Sequence, residues 1–322
     1  MWIPVLGLIV GFMALVWSAD KFLSGAASTA HNLGVSKILI GLTIVSIGTS
    51  APEIFVAITA SLAGNPLLGI GNAIGSNIAN IGLVLGVTAL VAPLPFSVRV
   101  LQAELPWLLG ATLLALVLMF NLELNVVDSL ILLAGLLLIL YFLVSQRTPA
   151  HTEISETIQA DLDELPEMTT WQGVLWLIGG LVILVASSHL LVWSASDIAH
   201  RLGVSDLVIG LTIVAVGTSL PELAATVAAA VKGHTDIAIG NVVGSNILNI
   251  LAVLAVPGFV TTVQMEPVAL WRDCGMMAAL TLLLALFAYG INSRAVITRF
   301  EGAVMLLAWV GYNSLLVQQS VH

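Results

Sequence analysis

Two segments of this 322-residue chain repeat each other at a constant spacing. Residues 41–81 read GLTIVSIGTSAPEIFVAITASLAGNPLLGIGNAIGSNIANI, and residues 210–250 read GLTIVAVGTSLPELAATVAAAVKGHTDIAIGNVVGSNILNI. The offset is 210 − 41 = 169 without a gap, and the identical positions are mainly glycine, proline and polar residues. Long apolar segments enclose both blocks. Because polar groups at bilayer depth are costly, their repetition indicates a functional site built by two related halves.

The composition is that of a membrane protein. Hydrophobic residues make up 59% of the chain, charged residues 8%, and the mean hydropathy is +1.09. A transmembrane helix needs about 20 mostly apolar residues. The sequence predicts an all-α polytopic membrane protein embedded in the lipid bilayer, with ten transmembrane helices at 3–24, 35–62, 66–92, 102–120, 125–144, 171–193, 204–231, 234–257, 268–290 and 296–317.

Charge and cysteine content exclude several classes of partner. The net charge is −9, and one central loop holds six of the eighteen acids: Glu153, Glu156, Asp161, Asp163, Glu164 and Glu167. Nucleic acid is an improbable partner, because the chain has no basic patch. The single cysteine, Cys274, offers no metal-binding spacing, so no cofactor is expected. No feature indicates an obligate protein partner.

The acidic loop lies near the midpoint of the chain. We predict an N-terminal five-helix repeat at 1–145, an acidic linker at 146–170 and a C-terminal five-helix repeat at 171–322. Repeats with an odd number of spans must insert with opposite topology. Inverted repeats with discontinuous helices at the centre are typical of secondary transporters, whose sites lie at the repeat interface.

Basic residues set the expected orientation. One set of loops carries seven of the nine basic residues, and the other set carries only Arg201 and Arg272. The positive-inside rule places the richer set in the cytoplasm. Both termini are therefore predicted outside, and the acidic linker inside.

The first motif of each block combines a helix breaker with an acid. Proline cannot donate a backbone hydrogen bond, so Pro52 and Pro221 should break their helices after Gly48 and Gly217. Freed carbonyls, hydroxyls and a carboxylate then fall within one turn: Thr49, Ser50 and Glu53 in the first block, Thr218, Ser219 and Glu222 in the second.

The second motif adds a polar helix face. Asn72, Ser76 and Asn80 are spaced by four, as are Asn241, Ser245 and Asn249, and each face should look at the preceding Pro-Glu break. All these groups offer hard oxygens, which suit Ca²⁺ or Na⁺. Two neighbouring buried glutamates need a cation, so competing ions can exchange there. Glu104 and Asp273, near span ends, are expected to be solvated at the interface.

These paired GTSxPE and GNxxGSNxxN motifs resemble the repeats of the cation/calcium exchanger superfamily, above all its prokaryotic sodium/calcium exchanger branch. The resemblance covers nearly the whole chain and implies ten helices in two inverted five-helix halves, whose first and sixth helices slide as a gate in a prokaryotic cell (inner) membrane. It implies that Glu53 and Glu222 are the main ligands, with carbonyls from Thr49 and Thr218. Adjacent sites for Ca²⁺ and Na⁺ would be completed by Ser50, Ser219, Ser76, Ser245, Asn80 and Asn249.

The resemblance implies a Na⁺/Ca²⁺ antiporter, and one position departs from the family pattern. Asn249 stands where some members carry Asp, an acid that the potassium-dependent branch associates with K⁺. Independence from K⁺ is therefore expected. An H⁺-coupled antiporter for Ca²⁺ or another divalent cation on the same glutamates remains the alternative. An enzyme is disfavoured because neither a nucleophile motif nor HExxH occurs, and a channel because the repeat is inverted.

Overall fold

The computed structural model describes residues 2–33, 45–98, 100–145, 168–201, 215–267, 270–290 and 295–320. Within these ranges the chain is almost entirely helical. The first half contains α1 (Trp2–Asn32), α2 (Ser46–Thr49), α3 (Ala51–Leu62), α4 (Pro66–Ala79), α5 (Gly86–Val91), α6 (Leu105–Leu118) and α7 (Val126–Ser145). The second half contains α8 (Thr170–Arg201), α9 (Ala215–Thr218), α10 (Leu220–Val231), α11 (Thr235–Leu248), α12 (Ala255–Val260), α13 (Gly275–Tyr289) and α14 (Arg299–Ser320).

Local irregularities recur at the offset of the sequence repeat. A π-helical turn at Asn80–Leu85 lies between α4 and α5, and another at Asn249–Val253 lies between α11 and α12. Two more π-helical turns, Val100–Glu104 and Leu270–Cys274, precede α6 and α13. Because both halves deviate from regular helix at matching positions, the repeat is visible in the backbone as well as in the sequence.

The helices are long and apolar enough to identify an integral, multi-pass membrane protein. Six candidate spans lie in the described part of the chain: Trp2–Thr29, Pro66–Val91, Val100–Asn121, Thr170–Leu191, Thr235–Val260 and Leu270–Tyr289. Shorter apolar helices at Pro52–Leu62, Val126–Phe142 and Leu220–Val231 overlap three further predicted spans. The last predicted span coincides with α14. The first part of the spans at 35–62 and 204–231, and most of the acidic linker, lie outside the described residues.

Two short antiparallel strand pairs connect the halves. β1 (Leu94–Pro95) pairs with β4 (Val296–Ile297), and β2 (Glu123–Leu124) pairs with β3 (Val263–Gln264). Each pair joins one strand from the first half to one from the second. The connecting segments of the two halves are therefore held together at the ends of the helices.

Helices α1 and α8 pack antiparallel with their backbones in close contact. A Cβ at Gly25 would lie 2.4 Å from the Leu177 nitrogen, and a Cβ at Gly180 would lie 2.6 Å from the Phe22 nitrogen. Distances this short to backbone atoms leave no room for a side chain. Small residues allow such approaches between membrane helices, so these glycines set the spacing of the α1–α8 pair.

The central helix is α11, which is buried from Ile237 through Leu248. Its counterpart α4 is less enclosed. Gly71 is exposed, no atom in the described part of the chain lies within 4 Å of a Cβ built there, and Asn72 is partly exposed. The two halves therefore surround the molecular centre unequally, with the more open side along α4.

The expectation that Glu104 is solvated at an interface is wrong. Its side chain is fully buried in the π-helical turn before α6, which packs against α11. Asp273 also differs from a freely solvated acid. Arg272 Nε lies 2.6 Å from its Oδ1, and the Tyr312 hydroxyl donates to the same oxygen at 2.8 Å. Packing of the π turns against neighbouring helices, which hydropathy does not reveal, buries Glu104 fully and Asp273 in part.

Candidate functional site

Both repeat motifs break their helices as the prolines predict. Between α2 and α3 the chain turns at Ser50 (φ −83°, ψ 6°), and between α9 and α10 it turns at Ser219 (φ −88°, ψ 2°). Pro52 and Pro221 then occupy the first turn of the new helices. Glu53 and Glu222 lie in the same first turns, where the helix dipole favours a negative charge.

Each carboxylate meets hydroxyl groups of the opposite half. The Ser50 hydroxyl donates to Glu222 Oε1 at 3.1 Å. The Thr49 side chain lies near the Glu222 carboxyl group, and the Thr218 side chain lies near that of Glu53. These reciprocal contacts place both helix breaks side by side at the interface of the halves, as the inverted-repeat hypothesis requires of a shared site.

The polar face of α4 is directed at the first break. Asn72 Nδ2 donates to the Glu53 backbone carbonyl at 3.3 Å, and the Ser76 hydroxyl donates to Glu53 Oε1 at 3.4 Å. The four-residue spacing predicted this contact.

In the second half, Asn241 acts as a bridge between helices. Its Oδ1 accepts from the Thr49 hydroxyl at 3.2 Å, and its Nδ2 donates to the Thr226 hydroxyl at 2.9 Å. Its backbone carbonyl accepts from the Ser46 hydroxyl at 3.0 Å. Because both ends of the amide are engaged, Asn241 links the first break to α10.

Several buried oxygens at these positions have no hydrogen-bond partner among the described residues. They are Glu53 Oε2, Glu222 Oε2, Ser219 Oγ, Ser245 Oγ, Asn80 Oδ1 and Asn249 Oδ1. Buried polar atoms are nearly always satisfied, so a group of exceptions in the repeated motifs requires an explanation. Ca²⁺ takes six to eight oxygen ligands. The chemistry of these buried oxygens is that of ligands for a hard cation.

The charge of the site comes from two carboxylates. Glu53 and Glu222 are both fully buried and close enough to interact electrostatically. Within the described ranges, no group of three or more His, Cys, Asp or Glu side chains could hold a metal. Two like charges removed from water repel each other strongly. A divalent cation neutralises both at once, which makes occupancy of this pair favourable.

Two further residues of the repeated motif share the chemistry of the candidate ligands, although the sequence analysis did not select them. Asn77 and Asn246 are buried, and each amide oxygen lacks a partner among the described residues. The four-residue spacing that selected Asn72, Ser76 and Asn80 places Asn77 on a neighbouring face. Identity between the repeats was the available signal, because both asparagines occur at the constant offset.

Comparison with known proteins identifies the family. The sequence pattern described as sodium/calcium exchanger protein matches residues 3–145 and 172–318. This chain belongs to the sodium/calcium exchanger family. It is 43% identical over 318 residues to the putative antiporter CaxA of Alkalimonas amylolytica, covering 98% of this chain and 99% of that protein. It is 33% identical to the sodium/calcium exchanger MaX1 of Methanosarcina acetivorans, covering 96% and 97% of the two chains.

Solved structures of the sodium-calcium exchanger NCX_Mj share the fold. The one soaked with 10 mM Na⁺ and zero Ca²⁺ has a TM-score of 0.81 and 32% identity, covering 96% of this exchanger-family chain and 97% of that chain. The one soaked with zero Na⁺ and Ca²⁺ also has a TM-score of 0.81 and covers 98% and 99%. The family resemblance found in the motifs is confirmed, and the relatives of this chain are transporters.

Proposed function

We propose that this protein is a secondary antiporter that exchanges Na⁺ for Ca²⁺ across the membrane by alternating access. One observation carries the proposal. Two fully buried glutamates, each in the first turn of a broken helix, lie at one interface. Each has a hydroxyl side chain of the opposite half beside its carboxylate. Such a pair holds a cation at bilayer depth and must be neutralised before the halves can move. Ions that compete for the same pair are transported alternately.

The charge count suits one Ca²⁺ or several Na⁺ in turn. Glu53 and Glu222 supply two negative charges, which balance a single divalent ion. Na⁺ ions are then distributed over the same carboxylates and the neutral oxygens nearby, including carbonyls of Thr49 and Thr218. The other neutral donors in this assignment are Ser50, Ser219, Ser76, Ser245, Asn80 and Asn249, of which all six are buried.

Alternating access in this proposal uses ten helices in two inverted halves, with α1 and α8 sliding over the remaining helices. Three features support it. Irregular helical turns recur at the repeat offset, the strand pairs cross between the halves, and glycines bring the α1 and α8 backbones into direct contact. Such close contact lets α1 and α8 move together over the remaining helices.

The open side of α4 gives the ions an approach to the site. Gly71 is exposed and Asn72 is partly exposed, whereas the matching residues of α11, Gly240 and Asn241, are buried. Asn72 in turn contacts the backbone of Glu53. We therefore assign the described conformation as open along α4 and closed along α11.

The basic loops suggest that the open side faces outward in a prokaryotic inner membrane. Lys232, which belongs to the basic-rich set, lies in the α10–α11 connection. That connection is the counterpart of the α3–α4 connection, and opposite topology of the halves puts the two on opposite faces. Labelling of single cysteines at 161 from the cytoplasm and at 322 from outside tests this orientation, and the reverse labelling contradicts it.

Reconstituted protein should take up ⁴⁵Ca²⁺ in response to an outward Na⁺ gradient, without K⁺. The reason is that Asn80 and Asn249 add no charge to the two carboxylates. Uptake should be measured in proteoliposomes under separate Na⁺, H⁺ and K⁺ gradients. Uptake that ignores Na⁺ and follows the pH gradient would instead establish the H⁺-coupled alternative on the same glutamates.

A further inference from the structure

Ser188 of α8 makes a contact with the ion site that the proposed function does not use. Its hydroxyl donates to the Gly217 carbonyl at 2.7 Å, and both residues are buried. In a continuous helix the nitrogen four residues later would bond this carbonyl, but that nitrogen belongs to Pro221 and carries no proton. A helix of the proposed sliding pair therefore holds the backbone of the second break, one residue before Thr218.

The first half cannot form the corresponding contact. The residue of α1 at the repeat offset from Ser188 is Ala19, and the carbonyl corresponding to that of Gly217 belongs to Gly48. Ala19 has no hydrogen-bonding side chain. Gly48 is instead approached by Leu181 of α8, whose Cδ2 atom would lie 2.9 Å from a Cβ at that position. The hydroxyl–carbonyl bond thus exists in only one of two otherwise matching places.

A second contact beside it is also restricted to one half. Asp20, adjacent to Ala19, forms an ion pair of 2.5 Å with Lys232, which follows α10, and Lys232 also bonds the Ser24 hydroxyl at 3.0 Å. The residues at the repeat offset are His189 and Ala63, which cannot form an ion pair with each other. In the described conformation α1 and α8 are therefore each tied to a different part of the second half.

We propose that Ser188 is a positioning residue, which couples the location of α8 to the second helix break and favours the conformation open along α4. This inference rests on the proposed antiport mechanism. When inverted halves exchange roles, α1 takes the place of α8. The opposite conformation then presents Ala19 to Gly48 and gains no equivalent bond. The asymmetry between serine and alanine biases the equilibrium between the two conformations.

The size of the bias follows from the strength of one buried hydrogen bond. The gain or loss of one such hydrogen bond changes the ratio of the two conformations by about fivefold. Ser188→Ala removes the bond from the described conformation, and Ala19→Ser supplies one to the opposite conformation. Both substitutions should shift the equilibrium in the same direction, and the double variant should shift it further than either.

The test compares half-saturating Ca²⁺ concentrations on the two membrane faces in oriented proteoliposomes. Ser188→Ala and Ala19→Ser should each raise the value on the α4-open face, relative to the other face, by about fivefold. Ser187→Ala is the matched control, because the neighbouring Ser187 is also buried but, among the described residues, bonds only the Leu184 carbonyl of its own helix. Ser188→Thr, which keeps the hydroxyl, should restore the ratio of the unmodified protein.

An unchanged ratio in Ser188→Ala, an equal change in Ser187→Ala, or opposite shifts in Ser188→Ala and Ala19→Ser would overturn the proposal. Absence of Ca²⁺ flux in the unmodified protein would instead reject the proposed function. In that event Gly71→Cys decides about Ser188, because Gly71 is exposed and the native Cys274 is buried. Ser188→Ala and Ala19→Ser are each combined with Gly71→Cys, and the rate at which the introduced cysteine reacts with an impermeant thiol reagent is measured. A slower reaction in both combined variants than in Gly71→Cys alone supports the coupling, and equal rates reject it.

Discussion

Replacing either Glu53 or Glu222 by glutamine is expected to abolish Ca²⁺ transport. The initial rate of uptake should fall by about 100-fold or more. Each substitution halves the charge of the site while it preserves the size of the side chain, and Ca²⁺ affinity depends strongly on the number of charged ligands. Both carboxylates are fully buried, so no solvent-exposed acid can take their place. Initial rates of ⁴⁵Ca²⁺ uptake into proteoliposomes give the measurement.

Glu266→Gln is a suitable control for this pair, because Glu266 is exposed and lies outside the repeated motifs. Its uptake should match that of the unmodified protein. All variants should elute from size-exclusion chromatography in detergent as the unmodified protein does. Removing one of the two carboxylate charges reduces their repulsion in the ion-free protein, so the substitution should not impair folding. Near-normal transport by either glutamate variant would show that the carboxylate pair is not the cation site.

Gly180→Ala should destabilise the protein by about 1–3 kcal/mol and reduce transport, because it overpacks a backbone contact. The new Cβ would lie 2.6 Å from the Phe22 nitrogen and 2.7 Å from its Cα, and neither atom can yield as a flexible side chain could. The α1 and α8 backbones must separate to accept it. Thermal unfolding in detergent and Na⁺-driven Ca²⁺ uptake should both report the change.

The adjacent glycine provides the matched variant. No atom of the described residues lies within 4 Å of a Cβ at Gly179, so Gly179→Ala should be tolerated, and it should stabilise slightly through the higher helix propensity of alanine. Equal unfolding temperatures for Gly179→Ala and Gly180→Ala would contradict the close α1–α8 contact. Loss of stability without loss of transport in Gly180→Ala would separate the packing of this pair from its proposed movement.

The sequence predicted those parts of the site that depend on local chemistry. Proline without a backbone proton must interrupt a helix, and the turns at Ser50 and Ser219 lie where Pro52 and Pro221 require. Side chains four residues apart share a helix face, and Asn72 and Ser76 both reach Glu53. The repeat itself predicted that the two halves would contribute equivalent groups.

Features that depend on tertiary packing were not predictable in the same way. The burial of Glu104 results from a π-helical turn packed against α11, which hydropathy does not show. The bond from Ser188 to Gly217 joins residues 29 positions apart, and no local pattern marks it. The repeat even obscures such contacts, because Ser188 and Ala19 differ at matching positions. The proposed bias of the conformational equilibrium depends on this difference between the halves, whereas the glutamate pair depends on their likeness.

Competition between Na⁺ and Ca²⁺ for one carboxylate pair tests the central claim most directly. Equilibrium binding of ⁴⁵Ca²⁺ to the purified protein should be measured at increasing Na⁺ concentration, with choline replacing Na⁺ at constant ionic strength. We predict that Na⁺ displaces Ca²⁺ completely, and that Glu53→Gln and Glu222→Gln bind no Ca²⁺ over the same range. Ca²⁺ binding that is unaffected by Na⁺, or that persists in both variants, would contradict a shared site at Glu53 and Glu222.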